Sequence, residues 1–166
     1  MNELLQAPMS LNDLSALRAE GQRVLDEHRL QKIREDREGE REKNRRLRDF
    51  FAEAWPVLEP KTKYKSNWHI DAIAEHLEAV SAGQITRLLI NVPPGSMKSL
   101  ATSVLWPAWE WGPNGDSWMR YLTTSFNETP VKRDNGKMRK LVTSPWFQEL
   151  WPMRFPKLGE LSFENE

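Results

Sequence analysis

The chain has 166 residues, enough for one ordinary domain around one hydrophobic core. Lys+Arg and Asp+Glu both number 24, so the net charge is zero and supplies no global electrostatic case for nucleic acid or an acidic membrane surface. The absence of cysteine excludes structural disulfides and thiolate zinc sites, and no apolar run is long enough to span a bilayer.

The start, MNELLQAPMS, lacks a basic stretch followed by an apolar one, so no secretory leader is expected and the expected location is the cytosol. Ser10 and Asp13 have capping-box spacing, which predicts a helix from there to about Ala54. Leu11, Leu14, Leu17, Val24 and Leu25 follow a loose helical period. HRLQKIREDREGEREKNRRLRDFF then interleaves charges of both signs. Its few apolar residues predict a solvated charged arm over residues 1–46, with a partner-binding arm as the alternative. Composition shifts after this arm: the eight Trp and nearly all of the eleven Pro come after residue 54.

Phe50, Phe51, Ala54 and Trp55 form an anchoring apolar face, and Pro56 and Pro60 are expected to stop the helix. KTKYKSN reads as a loop. WHIDAIAEHLEAVSAG reads as a helix with Ile70, Ile73, Leu77 and Val80 on one face and Gly83 as its C-terminal cap. TRLLINV predicts a short buried strand. After a Pro-Pro-Gly turn, SLATSVLWPAWEW predicts a helix kinked or ended at Pro107. GPNGDS is a turn, and WMRYLTTSF predicts a second strand with Met119, Tyr121 and Thr123 on one face. ETPVKRDNGKMRKLVTS predicts a helix with a basic outer face, which Asn135-Gly136 weakens. PWFQELWPMRF reads as an aromatic loop or short helix, and PKLGELSFENE as the start of a strand or hairpin. The order of these elements is βαβ-like and predicts an α/β fold, the first half of a P-loop NTPase-like parallel sheet over residues 47–166, preceded by the charged helical arm.

The stretch LLINVPPGSMKSLATSVLW has a strand, a tight turn, and then Lys-Ser opening a helix. That is the layout of a phosphate-binding loop, in which backbone N–H groups face the phosphates, a lysine reaches the β- and γ-phosphates, and a hydroxyl holds Mg²⁺. Lys98 and Ser99 supply the last two in order. Val92 and Met97 occupy the positions of the two outer glycines of G-x-x-x-x-G-K-[ST], so Met97 fits only with its side chain turned away from the phosphates. Gly95 lies inside the loop, and Pro93 and Pro94 stiffen its start. The candidate phosphate-binding set is Pro94, Gly95, Ser96, Met97, Lys98 and Ser99. An ordinary strand-to-helix turn with an exposed lysine is the other reading of the spacing.

YKSNWHIDAIAEHLEAV, RLLINVPPGSMKSLATSVLWPAWEWGP, RYLTTSF and KLVTSPWFQELWPMRF, taken together and in this order, resemble the N-terminal ATPase region of phage terminase large subunits. These are the motors that package double-stranded DNA into empty capsids. The resemblance covers roughly residues 47 to 166, and the family accepts degenerate loops of the Pro-Pro-x-x-Met-Lys-Ser sort. It implies ATP and Mg²⁺ as ligands, with Lys98 as the catalytic loop lysine and Ser99 as the residue facing the metal. It also implies that Trp68 and His69 flank the nucleotide base. The implied partners are double-stranded phage DNA, the portal protein, the terminase small subunit and further copies in a motor ring, with no membrane. The implied location is the host cytoplasm, at the procapsid portal. The family's paired Walker B acids and its nuclease carboxylates have no counterpart in these residues. The expectation is therefore nucleotide binding without hydrolysis or DNA cleavage, and a non-catalytic remnant or interaction module is the alternative.

Three other groupings carry weaker chemistry. His69 and His76 share a helix face near Asp71 and Glu75, but two histidines without a third spaced ligand more often pack or cap than bind zinc. VKRDNGKMRK reads as a solvated basic face or as a contact to DNA phosphates. The tryptophans read as packing residues rather than base-stacking platforms.

Overall fold

A computed structural model of the chain describes residues 11–152. Ser10 of the expected capping box and the expected strand at 156–166 lie outside the described residues. The chain divides into two units, Met1–Gly39 and Glu40–Glu166.

The first unit is carried by one long helix, α1 (Leu11–Lys43), which runs past the division so that its last turn belongs to the second unit. Leu17, Val24, Leu25 and Leu30 along it are exposed. Too few apolar residues recur at helical spacing here to bury a face.

In the second unit the expected continuous helix is broken at Asn44–Arg46. The break is held from a distance: Trp109 Nε1 donates to the carbonyls of Asn44 (3.3 Å) and Arg45 (3.2 Å). Asn44 is fully buried, and its amide donates back to the Glu40 carbonyl. Helix α2 (Leu47–Leu58) follows, with Leu47, Phe50, Phe51, Ala54 and Leu58 buried on one stripe. It runs through Pro56 and ends at Glu59, because the residue before Pro60 is driven out of helical dihedrals.

Helix α3 (Trp68–Ser81) buries Ile70, Ile73, Ala74 and Leu77. Gly83, at φ +71°, ends it: the Gly83 and Gln84 amides donate back to the carbonyls of Val80 and Ala79, the two bonds of a Schellman cap. Helix α4 (Lys98–Leu100), a π-helical turn (Ala101–Leu105) and α5 (Trp106–Trp111) follow one another without a break. The π turn accommodates Pro107: the Trp106 amide reaches Ala101, so the ladder is already widened where the proline ring would crowd a preceding carbonyl. Helix α6 (Glu128–Val142) is capped by the Asn127 side chain, which accepts from Thr129 N–H. It passes through Asn135-Gly136 intact. Helix α7 (Pro145–Leu150) is capped by Ser144 Oγ, which accepts from the Phe147 amide.

The core is helix packed on helix: α2, α3, the 98–111 run, α6 and α7 contribute all of its buried apolar residues. Phe50 meets Trp146, Phe147 and Trp151 at ring-centroid distances of 5.8, 6.4 and 6.0 Å. A buried carboxylate ties α3 to α5. Glu110, 1 % exposed, meets the Ser81 hydroxyl and accepts from Asn114 Nδ2 at 2.8 Å.

The expected parallel sheet is not present. Among the described residues there is no strand, so the P-loop NTPase-like α/β fold expected from the sequence is corrected to an all-helical arrangement. Among the described residues the two expected strands have no partner. In 88–92, Leu88, Ile90 and Val92 are half-buried and Leu89 and Asn91 exposed, the side-to-side alternation of an extended chain. In 118–126, Trp118, Leu122 and Phe126 are all exposed. An extended segment becomes a strand only when a neighbour takes up its N–H and C=O groups, and neither segment has one among the described residues. Only Tyr121 of the second is packed inward, edge-on between Trp106 and Trp111 at 5.4 and 5.9 Å.

Candidate phosphate-binding cavity

The loop at 92–100 opens onto a cavity of about 490 Å³. One wall is the loop itself, from Val92 to Leu100. The other is built from Arg133, Asp134 and Lys137 of α6 and Trp55 and Glu59 at the end of α2. The sequence-predicted residues Pro94, Gly95, Ser96, Met97, Lys98 and Ser99 thus all border one concave space.

The backbone of the loop turns on two left-handed residues, Gly95 at φ +84° and Met97 at φ +62°. Glycine takes that conformation freely, whereas methionine is strained in it. The Met97 side chain packs against the hydrophobic core and also borders the cavity. The first backbone bond of the helical run is Ala101 N–H to Met97 C=O at 2.8 Å. The amides of Lys98, Ser99 and Leu100 precede that bond and have no helical acceptor. The Lys98 side chain is exposed and makes no ion pair among the described residues.

The α6 wall is charged and largely self-paired. Lys137 Nζ lies 2.5 Å from Glu59 Oε1, and Lys140 Nζ donates to the Leu58 carbonyl at 3.3 Å. These two lysines therefore cap the C-terminal end of α2, where a helix dipole favours cations. The Lys137 hydrogen bond, then the charges of Lys137 and Lys140, hold the Glu59 carboxyl below the ordinary glutamate range, while burial opposes them. Arg133 Nε donates to Asp134 Oδ1 at 2.8 Å. Of the basic residues in VKRDNGKMRK, Lys137 and Lys140 thus hold the end of α2, while Lys132, Arg133 and Arg139 are exposed.

Trp68 and His69 lie elsewhere. With His76, Leu88 and Ile90 they border a second hollow of about 280 Å³, which shares only Val92 with the loop cavity. Trp68 is 79 % exposed and stands edge-on to His69. His76 Nδ1 is 2.7 Å from the Ala72 carbonyl, and no cluster of potential metal ligands forms among the described residues. Nothing local in the sequence joins the α6 and α2 residues to the loop cavity: VKRDNGKMRK reads as a solvated face or a contact to DNA phosphates, and Trp55 as part of an apolar anchor. Lys137 and Glu59 are 78 positions apart, and only the packing of α6 on α2 brings them together.

No helix among the described residues is long and apolar enough to cross a membrane. Comparison with protein-family models, with curated proteins and with solved structures gave no match for this chain.

Proposed function

We propose that this chain is the nucleotide-binding part of a DNA-packaging ATPase of the terminase large-subunit kind, and that ATP with Mg²⁺ enters the loop cavity. The observation that supports this is the cavity's composition: Lys98, Arg133 and Lys137 border one space with the amides that open the 98–111 helical run, which have no backbone acceptor among the described residues. A polyphosphate requires that combination of cations and free N–H donors in a concave site. In this reading Lys98 meets the β- and γ-phosphates and Ser99 the metal, while the loop backbone from Pro94 to Met97 lines the phosphates. Bound ATP with Mg²⁺ supplies a phosphoryl group activated for transfer.

Binding, rather than hydrolysis, is what these residues support. Among the described residues the carboxylates lining the cavity are Glu59 and Asp134, each engaged by a cation, and they are not the paired Walker B acids that hydrolysis in the terminase family requires. Double-stranded DNA as cargo, the portal protein and small subunit as partners, ring assembly and action in the host cytoplasm belong to the same proposal. They rest on the sequence resemblance.

A thermal melt tests the reading. Excess ATP with Mg²⁺ should raise the melting temperature, since a ligand at a hundred times its Kd stabilises by about 2.7 kcal/mol. Lys98→Ala should remove the rise. A flat response in the unmodified chain overturns the nucleotide reading.

A further inference from the structure

We infer that Arg133 is a second phosphate-binding side chain of the loop cavity, and that Asp134 is the positioning residue that aims it. This rests on the nucleotide reading above and adds a residue from the opposite wall.

Three cations border the cavity, and their commitments differ. Lys137 is held by Glu59 at 2.5 Å and clamps the end of α2. Lys98 belongs to the loop. Arg133 is the cation on the α6 wall with donors to spare: its side chain is 55 % exposed, and among the described residues its one hydrogen bond is from Nε to Asp134. A guanidinium has five N–H groups in a planar fork, and the Nε bond uses one of them. The two terminal nitrogens therefore keep four donors, in the geometry that pairs with two oxygens of a phosphate.

Asp134 makes that arrangement directional. Its side chain is 10 % exposed, and Arg133 is its partner in the fold. A buried carboxylate with one cation holds that cation strongly, because separation leaves an uncompensated charge. Neighbouring residues on a helix do not face each other, so the bond between 133 and 134 fixes the arginine's side-chain direction rather than following from helix geometry. Arg133 is thereby offered to the cavity already oriented, and the ligand class it fits is a nucleoside di- or triphosphate or an inorganic polyphosphate.

Calorimetric titration of the full chain with MgATP, inorganic tripolyphosphate and adenosine tests this, using Lys98→Ala, Arg133→Ala, Arg133→Gln, Arg133→Lys and Asp134→Asn. Arg133→Ala and Arg133→Gln should each weaken MgATP and tripolyphosphate binding tenfold or more and leave adenosine binding unchanged. Arg133→Lys should recover little of the loss, because an ammonium cannot make two parallel bonds. Asp134→Asn should weaken polyphosphate binding severalfold with Arg133 still in place. The ligand-free melting temperature of each variant separates loss of binding from loss of fold, and the glutamine variant serves if the alanine variant does not fold. If Lys98→Ala loses binding while both Arg133 variants bind as tightly as the unmodified chain, this inference is overturned and the nucleotide reading stands. Full rescue by lysine overturns the forked contact, and an unchanged Asp134→Asn overturns the positioning role. If the unmodified chain binds neither MgATP nor tripolyphosphate, the nucleotide reading falls and this inference falls with it.

Discussion

Glu78 of α3 accepts a hydrogen bond from the Leu47 amide at 2.6 Å and so caps the N-terminus of a different helix, α2. Arg46, the residue at the cap position, makes no side-chain cap bond. The carboxylate satisfies one of the orphan N–H groups and also meets the positive end of the helix dipole. Glu78→Ala should therefore lower stability by about 1–2 kcal/mol. Glu78→Gln keeps an acceptor and loses the charge, and should cost about 0.5 kcal/mol. The shift of the urea midpoint at constant slope measures both. Equal losses for the two variants would show that the hydrogen bond contributes nothing beyond the charge.

Met97 carries the strain of the loop. A left-handed backbone costs a non-glycine residue about 1–2 kcal/mol, and here the cost is offset by packing of the side chain against the core. The two terms nearly cancel on removal, so Met97→Gly should stay within about 1 kcal/mol of the unmodified chain. Met97→Ile keeps apolar volume but forces a β-branched residue into the same dihedrals, and should lose about 1–2 kcal/mol. Urea denaturation of the pair decides it. A glycine variant less stable than the isoleucine variant would mean that packing, not backbone strain, governs this position.

The parts of the fold legible in the sequence were those whose causes are local. Helix α3 carries its own period and stop, Ile70, Ile73 and Leu77 with Gly83, and α6 is legible as a helix with a basic outer face. The strand expectation failed because it needed something not local. LLINV does alternate inward and outward as an extended chain should, but a sheet requires a neighbour, and the pattern does not encode one. The break at Asn44–Arg46 was hidden for a similar reason. The charged run reads straight through it, while the group that holds it, Trp109, lies some 65 positions on. At the candidate site the loop wall, Val92 to Ser99, was legible as a motif. The facing wall was not, because Trp55, Glu59 and Arg133 have no pattern in common until α6 packs on α2.

The Lys137–Glu59 pair gives stability a pH dependence with a definite sign. The hydrogen bond from Lys137 holds the Glu59 carboxyl below its ordinary range in the folded chain. Its contribution is therefore fully present above the unfolded glutamate value of about 4.3 and is lost as pH falls through the lower folded value. The carboxylate is about one-third exposed, so solvent screens the pair and the effect is small. Lys137→Met should flatten the acid side of the stability profile. Denaturation midpoints from neutral pH down through the glutamate range measure this. An unaltered acid limb in the variant would show that other carboxylates carry the dependence.

Gly112, at the end of α5, is required by close approach rather than by its dihedrals. A Cβ there would lie 2.8 Å from Phe147 Cζ, 3.2 Å from Phe147 Cε2 and 3.1 Å from Trp151 Cγ. Phe147 is fully buried among Phe50, Trp146 and Trp151, so its ring has little room to retreat. Replacing glycine by alanine usually gains about 0.4–1 kcal/mol by restricting the unfolded chain. Overpacking a filled core costs about 1–3 kcal/mol, and at these distances the overpacking wins. Gly112→Ala should thus be destabilising. The same change made in a Phe147→Leu background should cost less than half as much, because the shorter side chain vacates the space the new methyl needs. A double-mutant cycle of urea midpoints reads the coupling directly. Additive losses would mean that Trp151, not Phe147, is the group that alanine displaces.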